Sequence, residues 1–249
     1  MAQTNGQTDE DAADVALIPQ RCWGAAVCIG TECIKKNLLD IEKQIAPCKP
    51  KIIGVTKYYG LDAVVNGFEA GLRDFAESRA LESIAKIESL PEMVRQDSTF
   101  HFIGHLQTNK VEKVVRYYDY IHSVDSLKLA GSISKAIAHL GKGVKVLIQV
   151  NNACEEQKSG YSKEGLLADM PEILKLDNLE LVGLMNIAPL NANEHELRRL
   201  FKDMADFRKE LEMRFGIELK ELSMGMSDDY KIAVEEGATM IRIGRKLFT

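Results

Sequence analysis

Short apolar runs alternate with amphipathic stretches along most of this chain, and this alternation constrains the fold more than any other feature. Runs such as 51–58, 145–151 and 240–244 are short and rich in β-branched residues, which is typical of buried strands. The stretches between such runs carry apolar residues at helical spacing. Strands separated by helices are expected to be parallel, because a crossover returns the chain to the same end of the sheet.

The alternation predicts eight strands, with one helix ahead of the first. The predicted strands are 51–58, 73–78, 99–105, 120–124, 145–151, 179–187, 219–225 and 240–244. The predicted helices are 23–46, 61–70, a charged helix ending near 90, 109–117, 126–140, 162–174, 194–215 and 228–236. This pattern predicts an α/β fold, a single (β/α)₈ barrel of the TIM type with an extra N-terminal helix. A doubly wound open sheet remains the alternative.

Residues 1–20 differ from the rest of the chain because they are polar and acidic, and they predict a flexible tail ahead of a barrel domain at 21–249. They lack the basic start and apolar segment of a signal peptide, and no apolar run is long enough to span a bilayer. We therefore expect a cytoplasmic protein. The formal net charge of −5, with scattered basic residues, argues against nucleic acid or a membrane as partner.

The cysteines and histidines give no metal-binding pattern. The cysteines are Cys22, Cys28, Cys33, Cys48 and Cys154. Their number is odd and no pair has C-x-x-C spacing, so we expect buried free thiols in a reducing compartment. His101 and His105 are four residues apart, but they lie on a predicted strand and turn without an acidic neighbour. We therefore predict no metal site.

The working residues of such a barrel lie at the carboxyl ends of its strands. The candidates at these ends are Lys57, Glu77, Ser78, His101, Gly104, His105, Asn151, Asn152, Met185, Asn186, Ser223, Met224, Gly225, Arg242 and Gly244. Lys57 is the most informative because it ends an apolar strand, where a partly desolvated amine would be a good nucleophile toward an aldehyde. The alternative is a lysine whose stem lies along the barrel rim while its ammonium group stays in water.

The ends of the last two predicted strands form a second cluster, SMGMS at 223–227 and RIGR at 242–245. Barrels of this type often bind phosphate with the loops after these two strands, and glycines let backbone N–H groups approach an anion. The alternative is that the glycines only turn the chain. A lysine opposite a phosphate cradle suits a phosphorylated aldehyde. Asp228 and Asp229 are expected to cap the following helix.

Six motifs in order along the chain point to a known family. They are VTK at 55–57, HFIGHLQTNK at 101–110, NNACEEQKSG at 151–160, GLMNIAP at 183–189, LSMGMSDDY at 222–230 and IRIG at 241–244. With these motifs the sequence resembles the pyridoxal phosphate homeostasis protein family over nearly the whole chain after the tail. The resemblance implies the fold of the N-terminal barrel of alanine racemase, a fold type III barrel, with pyridoxal 5′-phosphate as cofactor.

The resemblance also implies roles for individual residues. Lys57 would hold the cofactor as a Schiff base, and Arg242 would face the pyridine nitrogen and weaken the ring as an electron sink. The residues implied to hold the phosphate are Ser223 and the backbone N–H groups around Met224, Gly244 and Arg245. The residues implied to line the ring are Asn151 and Met185.

This chain departs from the family at two places near the expected site. The family usually has Phe-Gly-Glu-Asn after the second strand, whereas this chain has FAES, so Ser78 offers a shorter side chain without an amide. The family often has a Lys-Pro loop after the Schiff-base lysine, and here the loop is YYGLD at 58–62. The second change alters the rim of the barrel but leaves Lys57 in place.

Three functions remain open on the sequence. The preferred one is storage, buffering or delivery of pyridoxal phosphate without robust turnover, with enzymes that lack their cofactor as possible recipients. The others are a weak amino-acid racemase and a cofactor-free Schiff-base aldolase. Racemases of this fold take a second base, a tyrosine, from a C-terminal β-domain of the partner subunit. This chain ends five residues after Gly244, so we expect no such domain and a monomeric protein.

Overall fold

A computed structural model describes residues 30–153, 155 and 159–249 of the chain. Its strands are β1 Lys51–Val55, β2 Asp74–Glu77, β3 Thr99–Phe102, β4 Tyr120–Val124, β5 Lys145–Gln149, β6 Glu180–Met185, β7 Glu221–Ser223 and β8 Met240–Ile243. Its α-helices are α1 Thr31–Ile45, α2 Leu61–Glu69, α3 Ala80–Glu88, α4 Glu92–Gln96, α5 Val111–Tyr117, α6 Leu127–Leu140, α7 Lys163–Ile173, α8 Glu194–Phe215, α9 Tyr230–Glu235 and α10 Arg245–Phe248. A 3-10 turn at Thr108–Lys110 precedes α5.

The eight strands form a closed parallel barrel in chain order, which confirms the predicted fold and rules out the open sheet. The barrel closes where β8 pairs with β1, in a register that sets Ile53 beside Arg242 and Gly54 beside Ile243. Closure leaves no unpaired sheet edge and brings the first strand next to the last. Residues that follow β1 and β8 are therefore neighbours in space.

Side chains of successive strand residues alternate between the inside of the barrel and its helical coat. Inside the barrel lies a small apolar cluster of Ile53, Ala76, Tyr120, Leu147, Met185 and Met240. A much larger apolar core fills the space between strands and helices. Gly54 faces that outer layer, where a Cβ atom would lie only 3.2 Å from the Phe248 ring of α10. The close contact lets α10 pack directly on β1.

The elements differ from the predicted ones mainly at their ends. Several predicted strands extend two or three residues beyond the observed ones, because an apolar residue such as Ile103, Val150 or Ile187 follows the strand end. The short helices α4 and α10 were not predicted, since five and four residues are too few to show helical periodicity. Pro171 is accommodated in α7, which ends two residues later at Ile173. The predicted first helix is observed from Thr31, and 23–29 lie outside the described residues.

The expectation of buried free thiols is half right for Cys48, which is free but exposed, and wrong for Cys33, which is disulfide-bonded. Spacing along the chain does not tell which sulfur atoms meet in space. The other cysteines, Cys22, Cys28 and Cys154, lie outside the described residues, as does the predicted tail at 1–20. Across the described ranges, none of the helices has both the length and the apolar character that a membrane crossing requires.

Candidate cofactor-binding site

Lys57 lies at the mouth of the barrel, the end where the carboxyl ends of the strands open into loops. It follows β1 by two residues in a turn closed by the bond from Tyr59 N to Thr56 O, 2.9 Å long. Ile53 and Val55 pack in the barrel interior, so strand alternation carries Lys57 on the same inner face. Lys57 is half-buried, and its Nζ lies 5.0 Å from the centroid of the exposed Tyr58 ring.

The turn that carries Lys57 is held from outside the barrel by Lys86 of α3. Lys86 Nζ donates to the carbonyls of Thr56 at 3.0 Å and Tyr59 at 2.8 Å. It also pairs with the buried carboxylate of Glu77 at 2.6 Å. Thr56 Oγ1 donates to the same carboxylate oxygen at 2.7 Å. Glu77 was predicted at the mouth, but as the residue after the inward Ala76 it faces the helices instead.

Arg242 is the buried cation of the site. Its Nη1 donates to Ser223 O at 2.8 Å and to Ser223 Oγ at 2.7 Å, and its Nη2 donates to Asn186 O at 2.8 Å. Burial lowers the pKa of Arg242 to about 10, although Asp229 opposes the shift. The guanidinium is therefore still charged at neutral pH. These bonds account for three of the five N–H donors of an arginine side chain.

Ser223 and Met224 lie deeper than a phosphate cradle at the mouth would require. Ser223 is fully buried, and its Oγ is bonded both to Arg242 and to His122 Nδ1, the latter at 3.0 Å. The N–H of Met224 donates to Met240 O at 3.1 Å, and its side chain is fully buried. Ser223 thus joins β7 to the barrel interior, and the N–H of Met224 joins β7 to β8.

Gly225 turns the chain at the mouth after β7. It adopts a φ of +91°, where a Cβ atom would lie 2.6 Å from Ala233 Cβ, so the close packing on α9 requires glycine. The predicted capping role of the aspartates is wrong, because Asp229 turns back into the loop and its Oδ1 accepts a hydrogen bond from Met226 N. Within the described part, its side chain makes no capping bond to α9.

The loops after β7 and β8 are tied together. Arg245 Nη2 donates to Asp228 Oδ2 at 2.6 Å across the exposed rim. The N–H of Lys246 reaches Ser227 Oγ at 3.4 Å. Gly244 precedes α10, so the first N–H groups of that short helix begin where the two loops meet. Gly244 and Arg245 are therefore brought beside the glycine turn after β7, as the SMGMS and RIGR motifs predicted.

The remaining candidates line the mouth with varied depth. Asn151 binds the backbone of Glu155 through both its Nδ2 and Oδ1 atoms and so shapes the loop after β5. Met185 is fully buried in the inner apolar cluster, as a floor below the mouth. Ser78 is half-buried, and its carbonyl packs so closely on Gly104 that a Cβ there would lie 2.0 Å away.

The two histidines of HFIGH lie in different environments. His101 is fully buried inside the barrel and bonds to Asp74 Oδ1 and to His122 Nε2, both at 2.9 Å. It was expected at the mouth, but its inward position in the middle of the barrel follows from the short β3. His105 is exposed and lies 3.3 Å from Asp125. Among the described residues, no three His, Cys, Asp or Glu side chains lie together in a way that could hold a metal ion.

The donor set of the mouth fits pyridoxal 5′-phosphate. A primary amine follows the end of β1, a buried guanidinium belongs to the neighbouring β8, and backbone N–H groups begin at Gly244. An aldehyde, a ring nitrogen acceptor and a phosphate are complementary to these three groups in the same order. The arrangement thus agrees in chemistry with the cofactor that the sequence implied.

Comparison with known proteins decides the family. The family model for the N-terminal domain of alanine racemase matches residues 29–249. The pyridoxal phosphate homeostasis protein of Synechocystis sp. is 40% identical over 202 residues, which are 81% of this chain and 92% of that protein. The chain belongs to the pyridoxal phosphate homeostasis protein family. The resemblance seen in the six sequence motifs is thereby confirmed.

Solved structures agree with this family. PipY of Synechococcus elongatus without PLP is 37% identical, with a TM-score of 0.82, and is matched over its whole length and 87% of this chain. The same protein with PLP bound gives a TM-score of 0.78. Alanine racemase of Clostridium difficile is 17% identical, with a TM-score of 0.69. The match covers 91% of this chain but only 58% of the racemase. That likeness shows the barrel fold alone.

Proposed function

We propose that this protein binds pyridoxal 5′-phosphate at the barrel mouth and stores, buffers or delivers it inside the cell. The observation that carries the proposal is the pairing of β1 with β8, in which Arg242 lies beside Ile53, on the strand that leads to Lys57. An amine and a buried cation on adjacent strands suit the aldehyde and the ring of one small molecule. The family membership and the PLP-bound PipY structure support the same ligand.

When bound, pyridoxal phosphate supplies an aldehyde that joins reversibly to an amine, and we assign that amine to Lys57. Lys86 and Glu77 hold the turn of Lys57. The N–H groups of Gly244 and Arg245 receive the phosphate, and the exposed Arg245 adds positive charge there. The other predicted contact residues take supporting roles. Ser223 holds Arg242, and Met224 holds the loop after β7. Met185 forms the floor of the barrel mouth, and Asn151 and Ser78 form parts of its wall.

We further propose that the site turns over little or no substrate. Arg242 is cationic at neutral pH, so it keeps a ring nitrogen that faces it unprotonated, and such a ring withdraws electrons weakly. This residue therefore favours holding the cofactor over using it. A reversible covalent bond in an open mouth also suits transfer to the lysine of an enzyme that lacks its cofactor.

The racemase alternative is weaker because a second base on the opposite face of a substrate has no obvious source in the described mouth. Tyr58 is 76% exposed and shares its turn with Lys57. Tyr59 packs toward the helical coat, with its ring centroid 5.1 Å from that of Phe248. The aldolase alternative uses the same lysine without a cofactor and predicts a colourless protein. A monomeric, cytoplasmic protein with apo-enzymes as partners completes our proposal.

The test is the visible absorbance of the purified protein with and without added pyridoxal phosphate. We expect a yellow band that Lys57→Ala abolishes and that Lys110→Ala, a lysine of the 3-10 turn, leaves intact. Borohydride reduction followed by peptide mass analysis should place the added mass on Lys57. A wild-type protein that stays colourless with excess cofactor would overturn the proposal and favour the aldolase.

Delivery requires a second experiment. Loaded protein is mixed with an apo-enzyme, and the appearance of active enzyme is compared with unaided cofactor dissociation into a trapping reagent. Transfer faster than dissociation supports direct delivery. Equal rates would restrict the function to storage and buffering.

A further inference from the structure

A row of hydrogen-bonded polar side chains runs through the barrel interior, beside the inner apolar cluster. Its members are Asp74, His101, His122, Ser223 and Arg242, and we name this row the inner chain. The distances along it are 2.9 Å, 2.9 Å, 3.0 Å and 2.7 Å. Both imidazoles and Ser223 are fully buried. The inner chain therefore joins strands β2, β3, β4, β7 and β8 without help from solvent.

The inner chain extends from the opposite end of the barrel to the mouth. Asp74 is the first residue of β2, has a 17% exposed side chain and pairs with Lys51 at 3.5 Å. Tyr120 stacks on the His101 ring, with centroids 4.5 Å apart and planes 14° apart. At the far end Ser223 holds Arg242. A carboxylate near solvent is thus linked to the buried cation of the candidate site.

The hydrogen atoms along the inner chain have one self-consistent direction. Burial lowers the pKa of both His101 and His122, so each imidazole is neutral and carries a single N–H. A carboxylate only accepts, so His101 donates from Nε2 to Asp74 and accepts at Nδ1 from His122 Nε2. His122 Nδ1 must then accept from the Ser223 hydroxyl. The oxygen of that hydroxyl is left with lone pairs for Arg242.

We propose that the inner chain orients Arg242 toward the cofactor ring, with Asp74, His101 and His122 as positioning residues. Asp74 sets the direction of every hydrogen bond, and the fixed direction turns the lone pairs of Ser223 toward the guanidinium. The inference rests on the proposed function, because it assigns a purpose to the orientation of Arg242. Its structural part, the direction of the hydrogen bonds, stands without any cofactor.

Removing the acceptor at residue 74 should reverse the inner chain. In Asp74→Leu the side chain fills similar space but cannot accept, so an Nε2–H on His101 would be buried without a partner, which proteins tolerate less well than an unused acceptor. We therefore expect His101 to carry its proton on Nδ1 and to donate from there to His122. His122 must then donate from Nδ1 to Ser223, whose hydroxyl hydrogen has to turn away. Asp74→Asn keeps an acceptor oxygen and loses only the charge, so it should preserve the direction. The pair separates hydrogen-bond direction from the ion pair with Lys51, which both variants lose.

The measurement is two-bond ¹⁵N–¹H correlation of histidine side chains in protein without cofactor, which distinguishes the two neutral tautomers. We expect Nε2–H for His101 and His122 in the wild type and in Asp74→Asn. We expect Nδ1–H for His122 in Asp74→Leu. Glu221→Gln is a matched control, since Glu221 also acts on Lys51 but is not part of the inner chain, and it should change neither imidazole.

Either of two results would overturn the proposal. One is an Nδ1–H tautomer of either histidine in the wild type, a result that needs no variant to fold. The other is an Asp74→Leu spectrum in which His122, whose hydrogen bonds go to His101 and Ser223, is unchanged. On the loaded protein, Asp74→Leu should raise the dissociation constant of pyridoxal phosphate roughly tenfold and shift the visible band, with Asp74→Asn near wild type.

The tautomer spectra and the cofactor-binding measurements test the inference and the proposed function separately. Expected tautomers with no cofactor binding in the wild type would leave the inner chain standing and sink the proposed function. If the cofactor binds and Asp74→Leu changes neither its affinity nor its spectrum, the proposed function stands and the inference fails. In that case the inner chain would not position Arg242 for the ring.

Discussion

Replacement of Lys86 by methionine tests whether the turn of Lys57 depends on the helical coat. The change keeps the length of the stem and removes three hydrogen bonds, to Thr56 O, Tyr59 O and Glu77 Oε1. It also leaves the buried Glu77 carboxylate with only Thr56 Oγ1 among the partners described above. The loss thus combines lost bonds with an uncompensated charge.

The size of the effect follows from burial. Breaking a buried ion pair by removing one partner costs about 3–5 kcal/mol. The side chains of Lys86 and Glu77 are 16% and 5% exposed, so the lower end, about 3 kcal/mol, is appropriate. For a chain of this size that corresponds to a fall in the unfolding temperature of roughly 6–12 °C. Adding Glu77→Gln should restore part of the loss, because the buried charge is then gone.

The assay is chemical unfolding of wild type, Lys86→Met, Glu77→Gln and the double variant, followed by circular dichroism. Glu82→Gln breaks an exposed ion pair with Arg79 on the same helix and should leave the transition unchanged. Lys86→Met should also weaken pyridoxal phosphate binding, since the turn of Lys57 is no longer held. A midpoint for Lys86→Met equal to that of Glu82→Gln, or a double variant less stable than Lys86→Met, would refute the reasoning.

Two further predictions concern backbone and pH. Gly225→Ala should destabilise the protein by about 1–3 kcal/mol in thermal unfolding, since its φ is +91° and the Cβ would meet Ala233. Gly131→Ala in α6 has open space and should be neutral or stabilising, and equal effects of the two would contradict the argument. Burial lowers the folded-state pKa of His101 and His122, so below about pH 6.5 the unfolded chain binds protons that the folded chain does not. The free energy of unfolding therefore falls as the pH falls. The loss is at most about 1.4 kcal/mol per pH unit for each imidazole. Unfolding titrations at neutral pH and about pH 5.5 should show this slope, and an undiminished slope in His122→Asn would count against it.

Strand and helix periodicity was enough to predict the barrel, because each strand is buried on both sides and each long helix has one apolar face. The helix at Glu194–Phe215 and the strand at Tyr120–Val124 were predicted to the residue. Their ends are marked by strong local signals, such as the capping box at Asn193 and the left-handed Gly216. The four-residue α10 has no comparable periodic signal, and only packing on β1 reveals it.

The sequence was enough to predict individual residues of the candidate site, but not the contacts between them. Lys57, Arg242 and the glycine turns stand out because their residue types are unusual at the ends of buried strands. The support of Lys86 on the turn of Lys57 was not predictable, since it joins residues 27 and 30 positions apart through three-dimensional packing. His101 and His122 were likewise invisible as a pair, because their contact depends on the register of β3 with β4.

The inner chain also bears on how such a barrel can change over time. A single apolar replacement within it leaves at least one buried polar group without its partner, which costs about 1–3 kcal/mol. Replacing all members together by apolar residues of similar size removes the bonds within the inner chain from both sides, and such concerted changes are often neutral or stabilising. Every one-step route from the polar interior to an apolar one therefore begins with a less stable protein. The lower stability of these intermediates is enough to keep the barrel interior polar, whether or not the cofactor requires it.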